Sequence, residues 1–193
     1  MKVVVIENNY LSHDKLPPIG WYVVADSAIC NVGKPFYIPE DCGKVKVSLS
    51  IAVRFSRLGK SIETRFANRY YKEYAPALHF RLVELMDILK KEKRSISPSV
   101  SYDRSIIYGD YNLFPQSSQI DLFLKINGKN LIDWHSQSLN KTVDMMIQEY
   151  SKMNTIKMGD IMLPALNGSL IINEGDIIEV TGEGLNPFIV KVK

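Results

Sequence analysis

The sequence predicts a strand-rich α+β fold, and three observations support this fold class. From Val45 to Phe55 every second residue is apolar, which is the period of a strand that buries one face. Three later stretches place apolar residues three and four positions apart, which is the spacing of one helix face. From Met158 to the end, short apolar runs alternate with Gly-Asp turns. We therefore expect strands at both ends of the chain and helices between them.

The other predicted strands are shorter than Val45–Phe55. Val3–Ile6 and Gly20–Ala25 are predicted strands because β-branched and aromatic residues dominate them. Ile120–Ile126 alternates apolar and polar residues and is followed directly by Asn127-Gly128. Asn-Gly is the strongest two-residue signal for a β-hairpin, because both positions of a type I′ turn need a positive φ. We therefore expect a strand to return directly after this turn.

The three predicted helix faces lie in the middle of the chain. They consist of Phe66, Tyr70, Tyr71 and Tyr74; of Leu82, Leu85, Met86 and Leu89; and of Leu139, Val143, Met146, Ile147 and Tyr150. Pro76 interrupts the pattern between the first and the second face. Ser95–Ser101 contains a proline and several serines and is predicted to be loop.

Composition favours one ordinary globular domain over residues 1–193. The chain has 46% hydrophobic and 23% charged residues, and no linker-like segment interrupts it. A net charge of +3 is too small to indicate a nucleic-acid partner. Cys30 and Cys42 have no metal-type spacing and fit free thiols in a reducing compartment. No signal peptide or membrane-spanning run is present, so we expect a cytoplasmic protein with no membrane partner.

Short motifs in a fixed order extend over nearly the whole chain. They are Asn9-Tyr10-Leu11-Ser12-His13, Lys34-Pro35-Phe36-Tyr37-Ile38-Pro39, Leu58-Gly59-Lys60-Ser61-Ile62, Tyr102-Asp103, Gly109-Asp110, Ile126-Asn127-Gly128-Lys129, Thr155-Ile156-Lys157-Met158-Gly159-Asp160 and Gly175-Asp176-Ile177-Ile178-Glu179-Val180. Each motif alone is weak, but their succession resembles the fumarylacetoacetate hydrolase family in a short, single-domain version.

The resemblance implies both a fold and a chemistry. The implied fold is the mixed β-roll of the family's C-terminal domain, with helices on the periphery, and the implied assembly is a homodimer. Members of the family hold a divalent metal, usually Mg²⁺ or Mn²⁺, with a Glu-x-Glu pair and a downstream Asp. A lysine and a Thr-Gly-Thr-Pro loop complete the family's site. Its reactions are hydrolysis of carbon–carbon bonds, decarboxylation and tautomerisation of oxo-acids.

The positions that carry this chemistry are substituted here. Counted from the motifs, the Glu-x-Glu pair falls on Ser48 and Ser50, and the downstream Asp falls on His79. The lysine falls on Val100 and the Thr-Gly-Thr-Pro loop on Leu163-Pro164-Ala165-Leu166. Two hydroxyls and an imidazole carry no negative charge to offset the dehydration of Mg²⁺. We therefore expect no metal cofactor.

The same substitutions suggest a site for an anion. Lys46, Ser48, Ser50, His79 and Arg81 supply hydroxyl and cationic donors, which suit a small carboxylate or a phosphate. The alternative is that Ser48 and Ser50 are the polar face of a strand and that the charges are scattered over the surface. For His79 three roles remain open, namely a hydrogen-bonded core histidine, a metal ligand and a contact to an anion.

His13 is the one catalytic candidate that the family's opening motif retains. The resemblance places this motif at the active site, where its histidine can act as a base. The alternative is an ordinary loop histidine with Asp14 beside it, satisfied by local hydrogen bonds.

Two functions follow from these substitutions. The first hypothesis is a non-catalytic, degenerate family member that binds a small anion or serves as a partner or scaffold protein, with an intact relative as one candidate partner. The alternative is an active hydrolase, decarboxylase or isomerase of a small oxo-acid, with a site rebuilt around His13 and His79. An enzyme needs convergent titratable groups with perturbed pKa values, whereas a binding protein needs only shape and polar donors.

Overall fold

The structure, a computed structural model, describes residues 1–7, 20–115, 119–136, 142–164 and 168–193. The strands in these residues are β1 (Val3–Glu7), β2 (Gly20–Val24), β3 (Ile29–Asn31), β4 (Val45–Phe55), β5 (Tyr71–Leu82), β6 (Ile106–Tyr108), β7 (Asn112–Leu113), β8 (Asp121–Ile126), β9 (Lys129–His135), β10 (Ile161–Pro164), β11 (Leu170–Ile172), β12 (Ile177–Gly182) and β13 (Phe188–Lys191). The helices are α1 (Thr64–Ala67), α2 (Val83–Lys91), α3 (Ser97–Val100) and α4 (Val143–Met153).

Within the described residues the strands form two sheets. The larger sheet has the order β2-β1-β10-β4-β5-β6-β3, with β11 also paired to β4 and β7 also paired to β5. It is mixed, because β1 runs parallel to β10 and β3 runs parallel to β6. The smaller sheet has the order β13-β12-β8-β9 and is antiparallel. The central pair of the larger sheet, β4 and β5, carries most of the predicted site residues.

The main core lies on one face of β4. Val47, Leu49 and Ile51 point into it and are at most 1% exposed. Apolar residues of β8, β12 and α4 join the same cluster, so the larger sheet packs against the smaller sheet and α4. Phe80 of β5 stacks on Phe36 in this core, with the ring centroids 3.9 Å apart. Burial of this apolar surface is the dominant favourable term in folding.

The opposite face of β4 is buried as well. Ser48 is 7% exposed and Ser50 is 3% exposed. A second apolar cluster lies on this side of the larger sheet and contains residues of β1, β2, β5, β6 and β10. The prediction that Val45–Phe55 is half-buried is therefore wrong, because the curl of the sheet brings these strands together over the polar face of β4.

Most of the predicted elements are confirmed. The strand-rich α+β class and the mixed β-roll with peripheral helices are as expected, and β4 has the predicted bounds. The turn between β8 and β9 has φ values of 52° at Asn127 and 79° at Gly128, which is the positive-φ pair of a type I′ turn. The second and third helix faces correspond to α2 and α4, although Leu82 is the last residue of β5 and Leu139 lies outside the described residues.

The first predicted helix face is wrong. Only Thr64–Ala67 is helical, and Tyr71 and Tyr74 belong to β5. Pairing with β4 along its whole length overrides the helix-like spacing of these aromatic residues. Pro76 is tolerated in the strand because it falls between the part of β5 that pairs with β6 and the part that pairs with β7.

Two smaller points complete the comparison with the sequence. The predicted loop over Ser95–Ser101 contains one helical turn, α3, which has Pro98 in its first turn, where a missing N–H costs nothing. Cys30 and Cys42 are free thiols.

Of the helices that the structure describes, none has the length and apolar character needed to span a bilayer. That the chain forms a single domain over residues 1–193 stays a prediction.

Candidate functional site

The pairing of β4 with β5 brings the predicted anion-site residues together. Ser48 lies directly opposite His79, and Lys46 lies directly opposite Arg81. Residues that face each other across two antiparallel strands project from the same side of the sheet. Ser50 is two residues further along β4 and shares this side. Five residues that the sequence separates by up to 35 positions therefore form one polar row.

Arg81 reaches diagonally across this strand pair. Its Nη2 donates a hydrogen bond to the Ser48 hydroxyl oxygen at 2.5 Å. Diagonal neighbours on two strands are within reach of long side chains, which explains why the contact forms. The guanidinium carries five N–H groups in a planar fork, so this contact orients the group and leaves most of its donor capacity. Arg81 itself is half-buried.

Ser50 is committed to the backbone of the neighbouring strand. Its hydroxyl donates to the carbonyl oxygen of Pro164 at 2.6 Å. Pro164 ends β10, so the part of the predicted substrate loop that the structure describes, Leu163 and Pro164, is strand. A hydroxyl has one proton, and here that proton is donated to the Pro164 carbonyl. Ser50 therefore ties β10 to β4 beside the polar row.

His79 is buried, and a hydrogen bond to the backbone defines its tautomer. Its Nε2 lies 3.0 Å from the carbonyl oxygen of Val100, which also accepts a hydrogen bond from the Ser105 hydroxyl at 3.1 Å. A carbonyl oxygen can only accept, so Nε2 carries the proton and Nδ1 holds the lone pair. The position that corresponds to the family's lysine, Val100, thus lies beside His79 and contributes its backbone.

Burial also sets the charge of His79. Desolvation lowers its pKa to about 4, and the nearby Arg81 cation acts in the same direction, while the hydrogen bond to Val100 opposes both. The imidazole is therefore neutral near pH 7. A neutral imidazole with one nitrogen held by the backbone can accept a proton at the other nitrogen.

Tyr22 is a neighbour of this site that the sequence did not reveal. Its ring centroid is 6.3 Å from that of His79. Burial raises the pKa of Tyr22, and the Glu7 carboxylate raises it further, whereas Arg81 opposes both. The phenol thus stays protonated and can donate a hydrogen bond. Tyr22 reaches the site through the pairing of β2 with β1 and of β1 with β10, which no local sequence pattern indicates.

The residues that the resemblance assigns to the family's metal positions do not suit Mg²⁺ or Mn²⁺. Both ions prefer oxygen ligands with carboxylates among them. Here Ser48 accepts from a guanidinium, Ser50 donates to a carbonyl, and the Nε2 proton of His79 is held by Val100. In the part of the chain that the structure describes, no three His, Cys, Asp or Glu side chains are grouped as a metal site requires.

The remaining predicted catalytic residue cannot be placed. His13 and the motif around it lie outside the described residues, as do Ala165 and Leu166 of the predicted substrate loop. Lys46 is half-buried at the end of the polar row. The site that can be described therefore consists of Lys46, Ser48, Ser50, His79 and Arg81, with Tyr22 beside them.

Two enzymes resemble this chain in sequence along most of their length. The oxaloacetate tautomerase fahd-1 of Caenorhabditis elegans is 24% identical over 189 residues, which cover 92% of this chain and 88% of that protein. The oxaloacetate tautomerase YcgM of Escherichia coli is 24% identical over 197 residues, which cover 95% of this chain and 89% of that protein.

The fold is shared with solved structures. The fumarylpyruvate hydrolase of Pseudomonas aeruginosa, crystallised in complex with Mn²⁺ and pyruvate, superposes with a TM-score of 0.91 at 17% identity. The match covers 100% of this chain and 89% of that protein. At this level of identity the likeness shows the fold alone.

These relatives correct the first functional hypothesis. The expectation of a non-catalytic, degenerate protein that only binds an anion or serves as a partner or scaffold is wrong, because the related proteins are named as oxaloacetate tautomerases. The substitutions that the resemblance assigns to Ser48, Ser50 and His79 were given too much weight as a sign of lost catalysis. The findings favour the alternative, an active enzyme with a rebuilt site.

The family itself is shown by a match over nearly the whole sequence. The family model described as fumarylacetoacetate (FAA) hydrolase C-terminal matches residues 2–193. The match includes all the strands and helices described above, and the resemblance noted in the short motifs is confirmed. The chain therefore belongs to the fumarylacetoacetate (FAA) hydrolase C-terminal family.

Proposed function

We propose that this chain is an enzyme that interconverts the keto and enol forms of a small oxo-acid. One observation carries the proposal: His79 is neutral, has its Nε2 proton bound to Val100, and lies on the same face of the sheet as the Arg81 guanidinium. A base and a cation side by side are what removal of a proton next to a carbonyl requires. The names of the two sequence relatives, both oxaloacetate tautomerases, support the same reaction class.

Arg81 is the group that binds the substrate carboxylate in this proposal. A guanidinium and a carboxylate match in geometry and form paired, charge-assisted hydrogen bonds. The hydrogen bond to Ser48 holds the guanidinium in one orientation before the substrate arrives. Lys46, opposite Arg81 on β4, adds positive charge at the same end of the row. A small dicarboxylate therefore fits the charge of this site better than a neutral molecule does.

His79 is the proton acceptor. A proton leaves the carbon next to the substrate carbonyl for Nδ1, the nitrogen that keeps a lone pair. The carbonyl oxygen gains negative charge, which the Arg81 N–H groups stabilise. Water then gives a proton to this oxygen to complete the enol, and the hydroxide left behind takes the proton from Nδ1, which restores the neutral imidazole. A bound anionic substrate raises the pKa of His79 and makes it a stronger base than in the free protein. The protonated Tyr22 hydroxyl is a further donor beside the imidazole.

Kinetics with matched variants test the function. Chelator-treated protein is mixed with enol oxaloacetate, and the decay of enol absorbance is compared with buffer alone. His79→Gln keeps an N–H for Val100 but has no base, so we expect kcat/KM to fall about 100-fold or more. Arg81→Met loses the cation, and we expect a similar fall. Arg65→Met is the control, because Arg65 is an exposed residue of α1 and should retain the wild-type rate.

Product analysis separates the possible reactions. Proton NMR of the same mixture distinguishes a tautomer from pyruvate formed by decarboxylation, and fumarylpyruvate as a second substrate reports carbon–carbon cleavage. We expect tautomerisation to be the fastest of the three. A wild-type protein no faster than buffer with either substrate would contradict the proposal, as would equal rates in wild type and His79→Gln.

Assembly and location stay predictions. The resemblance implies a homodimer, and light scattering would then give about twice the mass of one 22.0 kDa chain. Pairing with an intact relative, a cytoplasmic location and a role for His13 are further expectations from the sequence. None of them is needed for proton transfer at His79.

A further inference from the structure

The charge of the site is inverted relative to a metal centre. We propose that the Arg81 guanidinium takes the electrostatic place of the metal ion, so that this chain binds a 2-oxo-acid directly and without a metal. Three positions that the family resemblance assigns to carboxylate ligands carry the neutral side chains of Ser48, Ser50 and His79. The group that donates a hydrogen bond to one of them, Ser48, is itself a cation. The binding step stands apart from the tautomerisation proposed above, although its catalytic use rests on that function.

The position of the guanidinium is the first support. Arg81 is two residues beyond His79 on β5, so both side chains project from the same side of the sheet. From there Nη2 reaches the hydroxyl of Ser48, one of the two positions assigned to the Glu-x-Glu pair. A divalent cation bound to Ser48 would lie next to a fixed positive charge, and like charges at this distance repel strongly where water is largely excluded.

The second support is that the Ser50 hydroxyl and the His79 N–H are already engaged in hydrogen bonds to the backbone. Ser50 donates to the Pro164 carbonyl, and His79 donates to the Val100 carbonyl. Both side chains are almost fully buried, with 3% and 5% exposed. Each keeps a free lone pair, but as a metal ligand each would be neutral, and without carboxylates nothing offsets the cost of dehydrating a divalent cation in this buried place. Ser48, Ser50 and His79 therefore all have hydrogen-bond partners within the protein.

The neutral groups also remove an obstacle to anion binding. Carboxylates at positions 48, 50 and 79 would repel a substrate anion unless a metal neutralised them, whereas hydroxyls and a neutral imidazole do not. The planar fork of a guanidinium offers two parallel N–H groups. A 2-oxo-acid presents a carboxylate oxygen and a carbonyl oxygen side by side, so it can accept from this fork at two points, in place of chelating a metal.

Calorimetric titration of chelator-treated protein tests the proposal with two probes. Mn²⁺ alone should give no saturable heat, and pyruvate alone should bind one per chain. Arg81→Met should weaken pyruvate binding at least tenfold, while Arg65→Met, the matched change on an exposed surface of α1, should bind as wild type. Thermal melting of each variant confirms that it is folded before titration.

A second variant asks whether the metal site can be restored. Ser48→Glu, Ser50→Glu and His79→Asp combined with Arg81→Met should create binding of one Mn²⁺ per chain, read by calorimetry and by the electron paramagnetic resonance signal of Mn²⁺. If this variant does not fold, the titrations of wild type and Arg81→Met still decide the question. A folded variant that binds no Mn²⁺ would contradict the placement of Arg81 at the metal position.

The outcomes separate this proposal from the proposed function. One Mn²⁺ per wild-type chain, pyruvate binding only in the presence of Mn²⁺, or equal pyruvate affinity in wild type and Arg81→Met would each overturn it. Metal-free binding of pyruvate without any turnover would support it and would overturn the tautomerase proposal instead. Turnover that depends on added Mn²⁺ would retain the enzyme but refute the metal-free site.

Discussion

The two faces of β4 are both buried, yet different forces hold them. On one face Val47, Leu49 and Ile51 pack into the main core between the sheets. On the other face Ser48 and Ser50 are nearly as buried, but each makes a specific hydrogen bond. The apolar face is stabilised by burial of surface, which is not directional, whereas the polar face is stable only while its partners remain in place.

This difference indicates which side chains of the shared fold can be exchanged without loss of the fold. The apolar face positions β4 and β5, and it does so whatever the opposite face carries. The polar face, which includes His79 across the strand pair, can exchange one set of groups for another if every buried donor and acceptor finds a partner. The substituted residues meet this condition through Arg81, Pro164 and Val100.

The largest expected effect is on the apolar face. Leu49→Ala should lower the free energy of unfolding by about 4 kcal/mol, because it removes buried methyl groups and leaves a cavity in a core that is 0% exposed at this position. Urea denaturation followed by circular dichroism measures the change. Leu58→Ala is the control, since Leu58 is 68% exposed and should change the free energy by less than about 0.5 kcal/mol. Equal effects of the two variants would contradict the assignment of the core.

The next effect is the pH dependence that His79 gives to folding. The unfolded state titrates near 6.5 and the folded state near 4, so between these values the unfolded state binds more protons. Stability should therefore rise with pH from about 4 to about 6.5, by about 3 kcal/mol in total for this group, and be fully present above that range.

Chemical denaturation at a series of pH values measures this dependence. His79→Gln keeps a donor for Val100 but does not titrate, so its stability should vary less across the same range. Identical pH profiles of wild type and His79→Gln would show that His79 is not the buried neutral group described above.

A smaller effect is expected for Ser50 on the polar face. Ser50→Ala leaves the Pro164 carbonyl without its hydroxyl donor and should lower the free energy of unfolding by about 2 kcal/mol. Ser95→Ala is the matched control, because Ser95 is exposed and bonds to another exposed serine. Thermal melts of both variants check the difference. A Ser50→Ala protein as stable as wild type would mean that the bond to β10 contributes nothing.

The smallest effect is expected for an exposed ion pair at the other end of the β4–β5 pair. Arg54 and Glu73 form an ion pair whose side chains are 43% and 37% exposed. Glu73→Gln should change the free energy of unfolding by only about 0.5 kcal/mol, because exposed pairs gain little in water. Denaturation in low and high salt measures it, and the small difference should vanish in high salt. A loss as large as that of Ser50→Ala would show that burial does not govern this face.

The sequence predicted those parts of the fold that local patterns determine. β4 has its predicted bounds because its alternation is long and unbroken, and the Asn127-Gly128 turn follows from positive φ values that few other residue pairs accept. β5 was missed because its aromatic residues match a helix period by chance and Pro76 argued against a central strand. Only pairing with β4, which is not local in sequence, decides between the two structures.

The sequence motifs singled out Ser48, Ser50 and His79 as site candidates, and strand pairing places these residues together with Arg81. That they form a functional site stays a prediction, and the sequence did not indicate their hydrogen-bond partners. The acceptor of the His79 proton, Val100, depends on where α3 lies against β5, and Tyr22 depends on a parallel pairing between the two ends of the chain. Burial, which depends on the same non-local packing, keeps His79 neutral, and the sequence alone therefore favoured lost catalysis over rebuilt catalysis.

The most direct test is the initial rate of oxaloacetate tautomerisation by chelator-treated wild-type protein, measured before and after addition of Mn²⁺. With the Arg81 guanidinium bound to Ser48 and a neutral His79 beside it, we expect catalysis above buffer without metal and no increase with Mn²⁺. A rate equal to buffer before addition and a large increase afterwards would contradict the metal-free site, and no catalysis under either condition would contradict the enzyme.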